Sequence, residues 1–310
     1  MTAATAIAGV AQIAGGLLLA PLVPGITQSL KAFLQGRRGP TPLQPYRELR
    51  RLWRRSTVQP EGTTLIYVLA PAVVAAALAT TLLMLPVGGL SPGWPFGNDV
   101  IALVGLLALA RFALTLSAWD TGSGFSLMSA ARDLSFAVFV EGLLLGTLLV
   151  ATLPGGSTSL LSLADAANGW AIWERPLHWC SLFAFGLVAV AETGRLPVDS
   201  PDTHLELTMI HEGPLLEYAG RDQALLQWAG AARHWVIAVI GAEVFLPHAG
   251  GTWWRLATLP LGVLAFCGAL ALAETWVAKL RILRVPRYLA AAGVLCVVGL
   301  VSWFVGGGAA

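Results

Sequence analysis

Glu141, Glu243 and Glu274 each stand inside an apolar run, and Arg111 stands inside another. Placing a charge at the centre of a hydrocarbon layer costs about 2.5–3.5 kcal/mol on insertion scales, so four such residues call for a purpose. Carboxyl groups kept partly from water titrate closer to neutrality and can pass protons, which is the chemistry of a relay. A structural alternative stands beside it. Arg111 would neutralise one glutamate as an ion pair, and Glu274 would lie near enough to Lys279 to be interfacial.

A second concentration of acid lies in residues 192–233, where Glu192, Asp199, Asp202, Glu206, Glu212, Glu217 and Asp222 face Arg195, Arg221 and Arg233. His204 and His211 beside Glu206 and Glu212 raise the question of a metal. The HExxH spacing fails, because Leu215 occupies the place of the second histidine. Cys180, Cys267 and Cys296 are far apart in apolar segments, without the close spacing of a zinc or iron–sulfur site, and are expected in the core. No glycine-rich phosphate cradle, nucleophile elbow or dinucleotide fingerprint occurs in the cytoplasmic segments. The chain is therefore expected to hold no metal or cofactor and to be non-catalytic alone, with any redox chemistry residing in partner proteins.

These residues must be positioned by membrane helices. Of 310 residues 56% are hydrophobic and 12% charged, against roughly 25% charged in soluble domains, which excludes a water-soluble fold. Eight windows reach the length and apolarity of a span, near 5–30, 64–85, 100–119, 134–153, 177–192, 234–247, 256–278 and 288–306. The reading is an all-α membrane protein of about eight transmembrane helices, one domain over 1–310, with no composition shift at which to divide it. The first apolar run lacks a preceding basic region, as a span does rather than a cleaved signal peptide. Pro21, Pro24, Pro71 and Pro260 within the windows mark expected kinks.

Sixteen of the 19 basic residues fall in the odd-numbered loops, which the positive-inside rule assigns to the cytoplasm, with both termini outside. The cytoplasmic segments are then 31–63 and 192–233. Within the first, Leu43, Tyr46, Leu49 and Trp53 recur at helical spacing among Arg47, Arg50, Arg51, Arg54 and Arg55. This fits an interfacial helix on an anionic leaflet, or charges that only set topology. Within the second, Pro197 and Pro201 are expected to hold the chain extended. Thr203 and Glu206 form a capping box opening a short helix, and Pro214 should break it. So long an acidic segment is expected to fold back on the bundle or under a docked protein.

The run ETGRLPVDSPDTHLELTMIHEGPLLEYAGRD, residues 192–222, resembles the segment between the fifth and sixth helices of the complex I membrane subunit beside the quinone chamber. Glu192, Thr193, Arg195, Pro197, Asp199, Pro201, Glu206, Leu207, Glu217, Tyr218 and Gly220 match that family's pattern, and residues 36–52 resemble its first cytoplasmic loop. Gly194 stands where the family has asparagine, Asp202 and His204 where quinone-dependent members have glutamates, and His211–Glu212 is foreign to them. HLELTMIHE instead resembles the membrane anchor of energy-converting nickel–iron hydrogenases of the formate hydrogenlyase and hydrogenase-4 kind.

The resemblance implies a bacterial inner-membrane subunit that holds a soluble hydrogenase arm and couples its electron transport to proton translocation. Its expected partners are the hydrogenase large and small subunits with their nickel–iron centre, iron–sulfur subunits with their clusters, antiporter-like membrane subunits and the lipid bilayer, and no nucleic acid. Implied proton-path residues are Glu141, Glu192, Glu206, Glu217, Glu243 and Glu274. Arg195, Asp199, Asp202, His204, His211 and Glu212 would dock the soluble arm. The rival readings are the quinone-site subunit of a respiratory NADH dehydrogenase and a lone secondary transporter, the latter disfavoured by the lack of a detectable repeat.

Overall fold

A computed structural model describes residues 12, 14–89, 98–166, 173–199, 210–246 and 251–306. Regular structure in these residues is helical, apart from one isolated bridge between Asp99 and Ser159. The helices are α1 (Leu22–Leu34), α2 (Gln44–Trp53), α3 (Leu65–Met84), α4 (Val100–Asp120), α5 (Gly124–Thr152), α6 (Leu160–Ala166), α7 (Pro176–Glu192), α8 (Gly220–Phe245), α9 (Thr252–Trp276) and α10 (Val285–Val305). Their starts follow local chemistry. Thr64 caps α3 by accepting from the Ile66 amide, and Asp99 caps α4 by accepting from Ile101. Asp120, ending α4, accepts from the Thr64 and Tyr67 amides and so fastens α3 to α4 as antiparallel neighbours.

Among the described residues six helices are long and apolar enough to cross a membrane, the first running Ala14–Leu34, and α7 is a shorter apolar helix. The 26-residue α8 falls outside that count, since it carries Arg221, Asp222, Arg233 and Glu243. It is nonetheless the centre of the fold, packed by α1, α2, α3, α7 and α9, while α5 and α10 enclose α7 from the other side. Pro71 and Pro260 lie inside α3 and α9, whereas Pro21 and Pro24 fall where α1 begins.

Several expectations are corrected. The apolar window of the first span ends at residue 30, but α1 continues to Leu34 and buries Lys31, which is no loop charge. Helix α5 begins at Gly124 and α8 at Gly220, ten and fourteen residues before their windows. Hydropathy falls at Arg132, Asp133 and Arg233, while the helices continue because protein partners surround Asp133 and Arg233. Pro197 sits in a turn, not an extended run, with the Val198 and Asp199 amides donating to Arg195 O. Helix α2 exists as expected, yet Leu43 and Trp53 turn outward, and Pro45, Glu48, Leu49 and buried Leu52 face the bundle. The i, i+3, i+4, i+7 spacing of that second set is the better helical stripe. Of the cysteines only Cys267 is fully buried, since Cys180 and Cys296 stand partly exposed on α7 and α10. Pro214 lies in a single 3₁₀ turn, Gly213–Leu215. Pro201 and the Thr203–Glu206 capping box lie outside the described residues.

Candidate functional site

Charged side chains near the ends of α1, α7 and α9 meet others from the middle of α4, α5 and α8 in three ion-paired lines. The first joins four helices. Arg111 of α4 reaches Glu192 of α7 at 2.7 Å and Glu141 of α5 at 3.5 Å, and Arg233 of α8 holds the other Glu192 oxygen at 3.0 Å. Arg233 also donates to the Leu107 carbonyl at 3.3 Å. The sequence left Arg111 as the neutraliser of one glutamate, and it bridges two.

The second line ties α1 to α9. Glu274 forms ion pairs with Lys31 at 2.9 Å and Arg195 at 3.2 Å. Lys279, the neighbour in sequence, is not its partner. Arg195 Nε donates to His234 Nε2 at 3.2 Å, and His234 Nδ1 lies 2.8 Å from the Gly230 carbonyl, so His234 keeps its proton on Nδ1.

The third line runs through His211. Its ring Nδ1 is 3.4 Å from Asp199 Oδ2 and its Nε2 is 3.7 Å from Asp133 Oδ1. Asp199 also accepts the Ile210 and His211 amides at 3.2 and 3.1 Å, and its second oxygen holds Lys279 at 3.1 Å. Ser129 of α5 donates to the Ile210 carbonyl at 2.9 Å. These contacts clamp residues 210–213 against α5.

A cavity of about 580 Å³ lies among the lines, bordered by Arg111, Asp133, Glu192, Arg195, His211 and Arg233, with Gln44 and Glu48 of α2 on its rim. The three lines contain five carboxylates and five Lys or Arg side chains. Buried charge is tolerated when paired in this manner.

The structure does not gather every expected site residue here. Glu243, fully buried, is ten residues along α8 from Arg233, about 15 Å at the α-helical rise. It accepts the Gly88 amide at 2.9 Å beneath Arg255, whose guanidinium pairs with Asp165 at 2.7 Å. Glu217 precedes Tyr218, which stacks on Tyr67 at 4.3 Å; Tyr218 donates to the Tyr67 carbonyl and Tyr67 to that of Glu217. Burial pushes the Tyr218 phenol above its usual range. Glu212 is half-buried on the cavity wall. Arg195 and Asp199, assigned to docking, are both buried. Asp202, His204 and Glu206 lie outside the described residues. Among the described residues no group of three or more His, Cys, Asp or Glu is arranged to hold a metal ion.

Sequence reasoning missed Lys31, Asp133, His234 and Lys279 as members of the site. Asp133 carried a signal, standing two helical turns before Glu141. Lys31 and Lys279 carried none, since they resemble ordinary topology-setting cations.

The family model for NADH dehydrogenase matches residues 7–305. The chain belongs to the NADH dehydrogenase family. Within it, this member is 36% identical over 233 residues to hydrogenase-4 component C of Escherichia coli (strain K12), covering 74% of this chain and 72% of that protein. It is 33% identical over 276 residues to formate hydrogenlyase subunit 4 of the same organism, covering 87% and 89%. An NADH-quinone oxidoreductase subunit of Rhodopseudomonas palustris (strain ATCC BAA-98 / CGA009) is 28% identical over 265 residues, with 80% and 79% covered. A chain of the membrane-bound sulfane sulfur reductase, an archaeal respiratory membrane complex, superposes with a TM-score of 0.84 at 19% identity, over 96% of this chain and 99% of that one. That likeness establishes the fold of this multi-pass NADH dehydrogenase family member.

Proposed function

We propose that the chain is the membrane anchor and proton-path subunit of an energy-converting nickel–iron hydrogenase of the formate hydrogenlyase or hydrogenase-4 kind. It is non-catalytic alone and belongs to the inner membrane with both termini outside. The observation that carries this reading is that Glu192 lines one cavity whose bordering Arg111 and Arg195 pair with Glu141 and Glu274 behind them, at the end of the bundle where the arginine-rich α2 lies. The names of the two Escherichia coli relatives supply the hydrogenase. Nickel–iron and iron–sulfur centres then belong to the large, small and iron–sulfur subunits, and ions cross through antiporter-like membrane partners.

Protons would pass from Glu192 at the cavity wall to Glu141 and Glu274 behind it, with Glu206 and Glu217 on the approach from the soluble arm and Glu243 further along α8. The docking role belongs to the whole 192–233 segment. Asp202, His204 and Glu212 would meet the arm, and Arg195, Asp199 and His211 would act as struts from beneath. The Rhodopseudomonas palustris relative favours a second reading, the quinone-site subunit of an NADH dehydrogenase.

Gentle purification through a C-terminal tag, mass spectrometry of companions and a hydrogen assay with reduced viologen separate the two. Nickel–iron companions and hydrogen evolution support the first reading. NADH-oxidising companions with bound isoprenoid quinone replace it with the second. Glu141→Gln or Glu243→Gln should leave the complex assembled and reduce hydrogen turnover or its coupling to proton movement, and unchanged coupling in both reduces these residues to structure.

A further inference from the structure

Two residues at which the sequence departs from the complex I pattern, Gly194 and His211, are in contact. Gly194 has φ +62, and a Cβ there would lie 3.0 Å from both Cγ and Nδ1 of the His211 ring. Asparagine tolerates that backbone conformation well, so the conformation alone does not require glycine. The ring favours glycine, because Cβ contacts of 3.0 Å would oblige it to shift by a few tenths of an ångström.

The space so made holds the ring between two carboxylates from different parts of the chain. Nε2 faces Asp133 Oδ1 of α5 at 3.7 Å and Nδ1 faces Asp199 Oδ2 at 3.4 Å. Among the described residues, neither His211 Nε2 nor Asp133 Oδ1 has a hydrogen-bond partner, though both are buried atoms. The side chain as a whole retains 26% exposure and borders the cavity. The other charged or titratable groups facing it are Lys279, through Asp199, His234 of α8, and Glu212 beside it, while the field of Arg111 reaches Asp133.

We infer that His211 is a proton-transfer residue, passing protons between Asp133 and Asp199 at the wall of the cavity. This deepens the anchor and proton-path reading and rests on it. In one direction, the protonated Asp133 carboxyl gives its proton to Nε2, forming the imidazolium, and Nδ1 releases its proton to the Asp199 carboxylate. The ring ends neutral with its proton on the other nitrogen, Asp133 ends as carboxylate, and no electrons are exchanged. Oδ2 of Asp199, which also accepts the Ile210 and His211 amides, is the oxygen that faces Nδ1 and receives the proton, while Oδ1 holds Lys279. Histidine suits the task because its two ring nitrogens can each give or take a proton. Glutamine keeps a similar reach and polarity without that capacity.

The test uses the intact complex, purified with its partners and reconstituted into vesicles holding a pH-sensitive dye. Hydrogen evolution and proton movement are read together. His211→Gln should lower proton movement per hydrogen about a hundredfold, the low end of general acid–base contributions, with companions still bound. Added imidazole, small enough for the cavity, should restore it. Gly194→Asn should show a milder loss of the same kind. Unchanged proton movement in His211→Gln, or a loss in an assembled complex that imidazole leaves untouched, overturns the inference. If the wild-type preparation lacks hydrogenase companions or moves no protons, the underlying reading falls instead.

Discussion

The Arg111 bridge supports a prediction whose sign depends on background. Arg111 and Glu141 are 3.5 Å apart and largely buried, so at an effective dielectric near 20 their attraction is about 5 kcal/mol before desolvation. Glu192 keeps Arg233 at 3.0 Å when Arg111 is removed, but Glu141 loses its ion-pair partner. Arg111→Gln should therefore destabilise the chain by about 3 kcal/mol, at the low end for a broken buried pair because Glu192 stays paired. At about 2.1 cal/mol/K of unfolding entropy per residue, a chain of 310 residues loses roughly 1.5 °C for each kcal/mol, so a fall in Tm of roughly 5 °C is expected. Glu141→Gln alone should cost about 1 kcal/mol, since Arg111 retains Glu192 at 2.7 Å. In the Arg111→Gln background the same Glu141→Gln change removes an uncompensated carboxylate and should raise Tm. The four proteins are compared by thermal unfolding in one detergent, as a double-mutant cycle. If Glu141→Gln lowers Tm by the same amount in both backgrounds, the two side chains are uncoupled and the ion-pair reasoning fails.

Other outcomes follow from the same geometry. Gly220→Ala would set a Cβ 2.3 Å from the Ser56 carbonyl at φ +60, and should cost roughly 1–3 kcal/mol in thermal stability. Tyr218→Phe should cost about 1 kcal/mol for the lost hydrogen bond to Tyr67, and Tyr218→Ala distinctly more through loss of the stack; equal effects would deny the stack any role. Replacing Arg195 should move hydrogenase activity from membranes to the soluble fraction, because Arg195 holds the 192–199 turn to Glu274 and His234, and full retention on membranes would count against a docking role. Single cysteines at position 38 or 54 should react with an impermeant thiol reagent only after the inner face is opened, and reaction in sealed cells would reverse the proposed orientation.

The sequence alone determined the class of this protein, because a chain with 12% charged residues cannot present a polar surface to water over 310 residues. It also placed most helices, as the Leu65–Met84 and Val100–Asp120 helices differ from their apolar windows by no more than one residue at either end. The 192–222 motif pointed to the family that the comparison then established. Tertiary structure alone decided which charges meet. Glu192 and Arg233 are 41 residues apart and Lys31 and Glu274 far more, and no periodicity encodes such pairings. Boundaries were misplaced where buried ion pairs extend a helix past its apolar stretch, as at Lys31, Asp133 and Arg233. Hydropathy treats every charge as a reason to leave the membrane. A partner on a neighbouring helix removes that reason, and its presence is a property of the packed bundle.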